Sequence, residues 1–181
     1  ALEKNNIEYV IFDKVMSNPT VECVYDGAET AMEEEVDFVI AIGGGSPMDS
    51  AKAIALLAVS DIERKNLFDG NIGNKALPMI HIPTTAGTGS ETTLAAVITD
   101  AETRHKYAIN DFPLIPKYAV LDPKVTLSLP PSITATTGMD ALTHAVEAYI
   151  GRSTTYHTRR DALHAVQLIF ENIDTVYADG R

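Results

Sequence analysis

Asp140 and His144 lie four residues apart in the stretch Thr136 to Ile150, whose pattern reads as helix. A carboxylate and an imidazole at that spacing project from one face with their Cβ atoms about 6 Å apart, close enough to serve one divalent cation. Zinc and ferrous iron take three or four protein ligands of this oxygen and nitrogen kind, and no neighbouring residue supplies the others at helical spacing. Either the remaining donors come from elsewhere, or the pair is a contact on a helix surface.

A second chemistry lies at Gly43-Gly44-Gly45-Ser46-Pro47-Met48-Asp49, where the apolar run Asp37 to Ile42 ends. The residues after the glycines predict a helix start, with Ser46 as N-cap, Pro47 in the first position and Asp49 facing back to the cap. One glycine would be an ordinary strand-to-helix turn. Three in a row let a ligand reach the backbone with no Cβ in the way, and the helix N-terminus behind them offers free N–H groups and the positive end of a dipole. Such a place suits a phosphate or pyrophosphate. The usual dinucleotide fingerprint is incomplete, because Gly43 and Gly45 fit its first two glycines while the third position falls on Met48. Asp49 opposes close phosphate contact by its charge and has capping as its alternative role. A similar loop, Pro83-Thr84-Thr85-Ala86-Gly87-Thr88-Gly89-Ser90-Glu91, follows the short apolar run Leu77 to Ile82. Its hydroxyls can donate to ribose or phosphate oxygens. Two such loops, each leaving the carboxyl end of an apolar strand, point to one ligand in the crevice outside a parallel sheet.

The elements that must carry these groups alternate strand and helix. Ile7 to Val15 alternates and is rich in β-branched and aromatic residues, which predicts a strand, and Ser17-Asn18-Pro19-Thr20 breaks it before a helix through about Glu35. Asp37 to Ile42 has the near-continuous apolar pattern of a parallel strand buried on both faces, and the helix after the glycines runs to about Val59. Ser60 to Lys75 is polar and reads as a surface connection with a short helix around Ile62 to Phe68. Leu94 to Thr99, Lys106 to Ile109 and Tyr118 to Leu121 predict three more strands, the first two as a hairpin around Ala101-Glu102-Thr103. From Pro130 onward helical periodicity takes over, in Ile133 to Ile150 and Thr158 to Val176. The expectation is an α/β fold: a Rossmann-like, parallel-sheet nucleotide-binding domain over residues 1–130, then the start of an all-helical metal-binding domain over 131–181. Of the other histidines, His81 reads as a satisfied core residue, His105 as solvated, and His157 and His164 as structural.

Composition narrows the partners. The 181 residues carry a formal charge of −11, with no basic stripe for a phosphodiester backbone, so nucleic acid is not an expected partner. No apolar run approaches the roughly 18 residues a membrane span needs. The single cysteine, Cys23, has no partner for an internal disulfide, and no apolar leader follows the start, so a cytoplasmic protein is expected. The first residues read as a helix entered midway, which suggests a fragment.

Three blocks taken together resemble the iron-containing (group III) alcohol dehydrogenases: Gly43 to Lys52, Pro83 to Glu91, and Gly138-Met139-Asp140-Ala141-Leu142-Thr143-His144-Ala145-Val146-Glu147. Asn18-Pro19-Thr20 is similar to a further motif of that family, in which the asparagine lies beside the cofactor. The resemblance implies NAD or NADP bound through Asn18, Gly44, Gly45, Ser46, Asp49, Thr84, Thr85, Thr88 and Lys106. It also implies a metal, iron(II) or else zinc, with Asp140 and His144 as two of four ligands and two later histidines beyond Arg181. The implied reaction moves hydride between a primary alcohol or aldehyde and the nicotinamide while the metal polarises the substrate oxygen. A small alcohol or aldehyde is then the substrate and a homo-oligomer the expected form. No residue of the chain reads as a general base. Two alternatives stay open, a catalytically inactive nucleotide-binding fragment and an NAD-dependent lyase like dehydroquinate synthase.

Overall fold

The computed structural model describes residues 2–60, 62–63, 66–68 and 75–180. The chain divides into two compact units, Ala1–Pro83 with Ser90–Val120, and Thr84–Gly89 with Leu121–Arg181.

The first unit is built on strands β1 (Val39–Gly43), β2 (Met79–Pro83) and β5 (Tyr118–Ala119), which form a parallel sheet in the order β1-β2-β5. Register runs from Val39 opposite Met79 to Gly43 opposite Pro83, so both strands end at the same edge of the sheet. Strands β3 (Ala95–Thr99) and β4 (Lys106–Asn110) make the expected antiparallel hairpin. Helix α1 (Val21–Glu33) begins at Thr20, whose hydroxyl accepts the N–H of Cys23 at 3.3 Å and so satisfies one of the helix's free donors. Helix α2 (Gly45–Leu57) is buried along almost its whole length. Its Ala53, Ile54, Leu56 and Leu57 join Val24 and Ala28 of α1 and Ala96, Ile98 and Ile109 of the hairpin in one apolar core. Its other side places Met48 and Ala51 on Ala41 of β1. A helix apolar all round is a buried helix, and α2 is the pillar of this unit.

Three expectations are corrected here. Ile7 to Val15 forms no strand: it has no ladder partner among the described residues, and alternation without a partner leaves backbone groups to water. Helix α2 starts earlier than expected, with Gly44 rather than Ser46 at its N-cap, because the Met48 N–H closes the first turn onto the Gly44 carbonyl at 3.3 Å. The stretch Ser60 to Lys75 is more than a surface connection, since Leu67 is fully buried in the core and the Tyr25 hydroxyl donates to the Ile62 carbonyl at 2.7 Å. The short helix expected around Ile62 to Phe68 falls partly outside the described residues.

The second unit holds helices α3 (Pro131–Ile150) and α4 (Tyr156–Ala178). They pack antiparallel: Gly138 near the start of α3 lies against the Ile173 side chain near the end of α4. Pro131 opens α3, where its missing N–H costs nothing, and the Thr155 hydroxyl caps α4 by accepting the Thr158 N–H at 3.1 Å. Among the described residues no helix is long and apolar enough to cross a membrane.

Candidate functional site

In the first unit the triple glycine makes the turn from β1 into α2. Gly43 has φ +155°, and a Cβ there would sit 2.6 Å from Pro47 Cγ, so this glycine is required by the turn itself. Gly44 is extended at the cap, and Gly45 and Ser46 open the helix. Helix geometry leaves the N–H groups of Gly45 and Ser46 without intrahelical acceptors, and Pro47 has no N–H to compete. These two donors sit at the positive end of α2, the arrangement an anionic oxygen needs.

Asn18 comes to this place from 28 residues away, its N–H donating to Ser46 Oγ at 3.4 Å. It holds a left-handed conformation, φ 57°, which asparagine tolerates better than most residues. The segment is anchored one step on: the Thr99 N–H donates to the Pro19 carbonyl at 2.8 Å, and Thr20 bridges to Thr99. Thr99 in turn stands in register with Lys106 on β4. Asn18, Ser46 and Lys106 are thus joined through one chain of contacts, the Ser46 hydroxyl at one end and backbone pairing along the rest.

Asp49 is turned inward. Its Oδ1 accepts from the Ser90 hydroxyl at 2.7 Å and its Oδ2 from the Val97 N–H at 3.0 Å, so it does not cap α2 as expected. Burial pushes its carboxyl up, against the pull of Ser90, Val97 and Lys52. One turn along, the Lys52 ammonium is fully buried and donates to Thr93 Oγ1 at 3.1 Å and to the Ala95 carbonyl at 2.7 Å. Burial lowers its pKa to about 8, with Asp49 and Glu91 holding it from falling further. Two charged side chains of α2 therefore grip residues 90–97, the exit of the hydroxyl loop. Lys52 is not singled out by the sequence reading; its signal is a lone lysine in the otherwise apolar run Ala51–Leu57.

His81, at the centre of β2, is fully buried, and neither ring nitrogen has a hydrogen-bond partner among the described residues. It is a core residue but not a satisfied one. Burial, then the Lys52 charge, lowers its pKa from 6.5 to about 4. Above pH 6.5 both folded and unfolded chains hold it neutral; as pH falls from 6.5 to about 4 the unfolded chain takes the proton first, and stability is lost. Urea unfolding at stepped pH should show a loss on the order of 3 kcal/mol across that window, absent in His81→Leu. An identical acid profile in the variant would remove His81 as the cause.

In the second unit Thr84–Gly89 lies with the helices. Thr85 Oγ1 is buried with no hydrogen-bond partner among the described residues, an orphan hydroxyl that a ligand oxygen would satisfy. Gly87 lies directly on α3: a Cβ there would stand 2.6 Å from the Thr137 carbonyl oxygen and 3.0 Å from its Cα.

One turn along the same helix, His144 Nε2 and Asp140 Oδ1 are 3.6 Å apart, with about half of each side chain exposed (56% and 44%). A carboxylate oxygen and an imidazole nitrogen converging on open solvent fit the donor types of iron(II) or zinc. Among the described residues no group of three or more His, Cys, Asp or Glu could hold a metal, so the structure brings together a pair and no third donor.

Comparison with known proteins bears on the two units together. Residues 1–123 match the family model for iron-containing alcohol dehydrogenase, and residues 134–181 match the C-terminal model of the same family. Alcohol dehydrogenase 4 of Saccharomyces cerevisiae is 41% identical over 99% of this chain and 47% of its own length. An iron-containing alcohol dehydrogenase of Thermotoga maritima superposes with a TM-score of 0.91 at 40% identity, over 98% of this chain and 49% of that one. The sulfoacetaldehyde reductase of Bifidobacterium kashiwanohense, solved with NAD+, gives a TM-score of 0.88 at 36% identity, over 94% of this chain and 46% of that one. The chain thus spans about half the length of the relatives it matches. With the glycine turn into α2, the half-buried Asp49, the hydroxyl loop and the Asp140–His144 pair all inside the matched residues, the chain belongs to the iron-containing alcohol dehydrogenase family.

Proposed function

We propose that the intact protein transfers hydride between a primary alcohol or aldehyde and NAD or NADP, using a divalent cation at Asp140 and His144. The observation that carries this is the 3.6 Å approach of a carboxylate oxygen and an imidazole nitrogen on the helix of a family member. When bound, the cation supplies Lewis acidity that lowers the pKa of an alcohol oxygen, and the nicotinamide supplies the hydride acceptor.

The chain's own residues do the holding. The N–H groups of Gly45 and Ser46 receive the pyrophosphate at the α2 N-terminus. The hydroxyls of Thr84, Thr85 and Thr88 serve ribose and phosphate oxygens, and the orphan Thr85 Oγ1 supports that assignment. Asn18 and Lys106 border the same nucleotide, while Asp49, with both oxygens already accepting, serves the site by holding the loop exit. Asp140 contributes negative charge that offsets the cation, and His144 contributes a neutral nitrogen. The reaction balances as alcohol plus NAD(P)+ giving aldehyde, NAD(P)H and a proton, the proton leaving to solvent because no side chain among the described residues stands as a general base.

In this reading residues 1–130 bind the nucleotide and 131–181 begin the helical metal domain; the family models, ending at 123 and resuming at 134, support that division. The protein works in the cytoplasm as a homo-oligomer. The 181-residue chain alone is proposed to be inactive, since two donors leave a cation mostly to water.

Hydride tracing tests the reading. With a primary alcohol carrying deuterium on C1, the intact protein should deliver the label to the nicotinamide C4 of the product. Absence of transfer across a panel of short primary alcohols, with both nucleotides and added iron(II) or zinc, would refute it.

A further inference from the structure

We propose that Gly87 is a positioning residue: its missing side chain sets how closely the nucleotide loop lies on the metal-bearing helix, and so how the bound nucleotide meets the substrate. This rests on the function proposed above.

The geometry is specific. Thr84–Gly89 follows β2 directly, yet it belongs to the compact unit of α3 and α4. The contact that seats it is Gly87 on Thr137, where an added Cβ would meet the carbonyl oxygen at 2.6 Å, Cβ at 2.8 Å and Cα at 3.0 Å. Two of those atoms are helix backbone, which does not rotate away as the end of a long side chain would. The Thr137 hydroxyl is itself tied to the Ile133 carbonyl at 2.8 Å, so this turn of α3 is braced from both sides. The conformation of Gly87 is not the constraint, because positive φ in this loop occurs at Gly89 and not at Gly87. Space alone excludes a side chain.

What lies on either side of the contact gives it a function. Thr137 is three residues before Asp140, so the loop bears on the turn of α3 that presents the first metal donor. Thr84, Thr85 and Thr88 flank Gly87 in the loop proposed to hold the nucleotide. At its far end the loop is pinned by Ser90, whose hydroxyl donates to Asp49 at 2.7 Å. A methyl group at position 87 would therefore lift the middle of the loop from α3.

Lifting changes distance without removing a ligand. Hydride transfer needs the two carbons within about 3 to 3.5 Å, and a misplacement near 1 Å costs on the order of 100-fold in rate. Gly87→Ala in the intact protein should therefore lower kcat by at least about tenfold. Metal content by elemental analysis should remain that of the wild type, and the NAD(P)+ dissociation constant by calorimetry should stay within about twofold, a change of only about 0.4 kcal/mol. Thr137→Leu thickens the same contact from the helix side with a flexible chain, so it should fold and show the same split more weakly. A merely structural role would lower melting temperature and metal content together and leave the kcat of the folded fraction unchanged, which would overturn the proposal. A large loss of nucleotide affinity would also overturn it, by placing Gly87 against the nucleotide and not the helix. Wild-type protein without alcohol-dependent nucleotide reduction would instead refute the proposed function, so the two failures are distinguishable.

Discussion

Gly45→Val is expected to leave the protein folded and to weaken NAD(P) binding by at least about tenfold, or about 1.4 kcal/mol. Gly45 is the first residue of α2, and its N–H is one of two donors with no acceptor inside the helix. Valine adds two methyl groups beside that donor, in the path proposed for the pyrophosphate. The helix tolerates the change, because valine is no poorer a helix former than glycine and the first turn crowds it least. Gly43 would be the wrong choice for this experiment: at φ +155° and with Pro47 Cγ 2.6 Å from any Cβ, it would fail by misfolding. Calorimetry with both nucleotides, alongside a circular dichroism spectrum, reads the result. Unchanged affinity in a folded variant would take the glycine turn out of the site.

Asp140→Asn and His144→Ala carry the other large effect. Asparagine keeps the shape of the carboxylate and loses the charge that offsets a divalent cation; alanine removes the nitrogen donor. Substituting even the outer partners of metal ligands typically costs about 10–100-fold in metal affinity, and direct donors should cost at least that. Turnover should fall with the metal in the intact protein. Nucleotide affinity should survive, since Gly45 and Ser46 belong to the other unit and the hydroxyls of Thr84, Thr85 and Thr88 are left unaltered. Metal and activity both persisting in either variant would reduce the pair to a helix-surface contact.

Much of this is legible in the sequence. The apolar run into three glycines and a proline located β1 and α2, because glycine accepts the φ +155° turn at Gly43 that other residues resist and proline fixes φ in a helix's first turn. The turn around Ala101 to Thr103 and the helical periods after Pro130 likewise placed the hairpin, α3 and α4 to within a few residues. Ile7 to Val15 misled because a strand is a property of two segments, and no partner lies among the described residues. The N-cap falls on Gly44 rather than Ser46 because the Met48 N–H already closes the first turn onto the Gly44 carbonyl, and the Ser46 hydroxyl instead accepts the N–H of Asn18, 28 residues away. Asp49 read as a cap for a related reason: its partners Ser90 and Val97 lie more than 40 residues on, beyond any local rule. Gly87 against Thr137 is a contact of the same long-range kind, invisible to periodicity. The spacing of Asp140 and His144 was readable because the i,i+4 rule is local, and for that reason it named two donors and no more.

The most direct measurement is made on one preparation of intact His144→Ala: metal content by elemental analysis and NAD(P)+ affinity by calorimetry on the same sample. The account predicts metal reduced to a small fraction of the wild-type stoichiometry with nucleotide affinity unchanged. Full metal occupancy in that sample would contradict it.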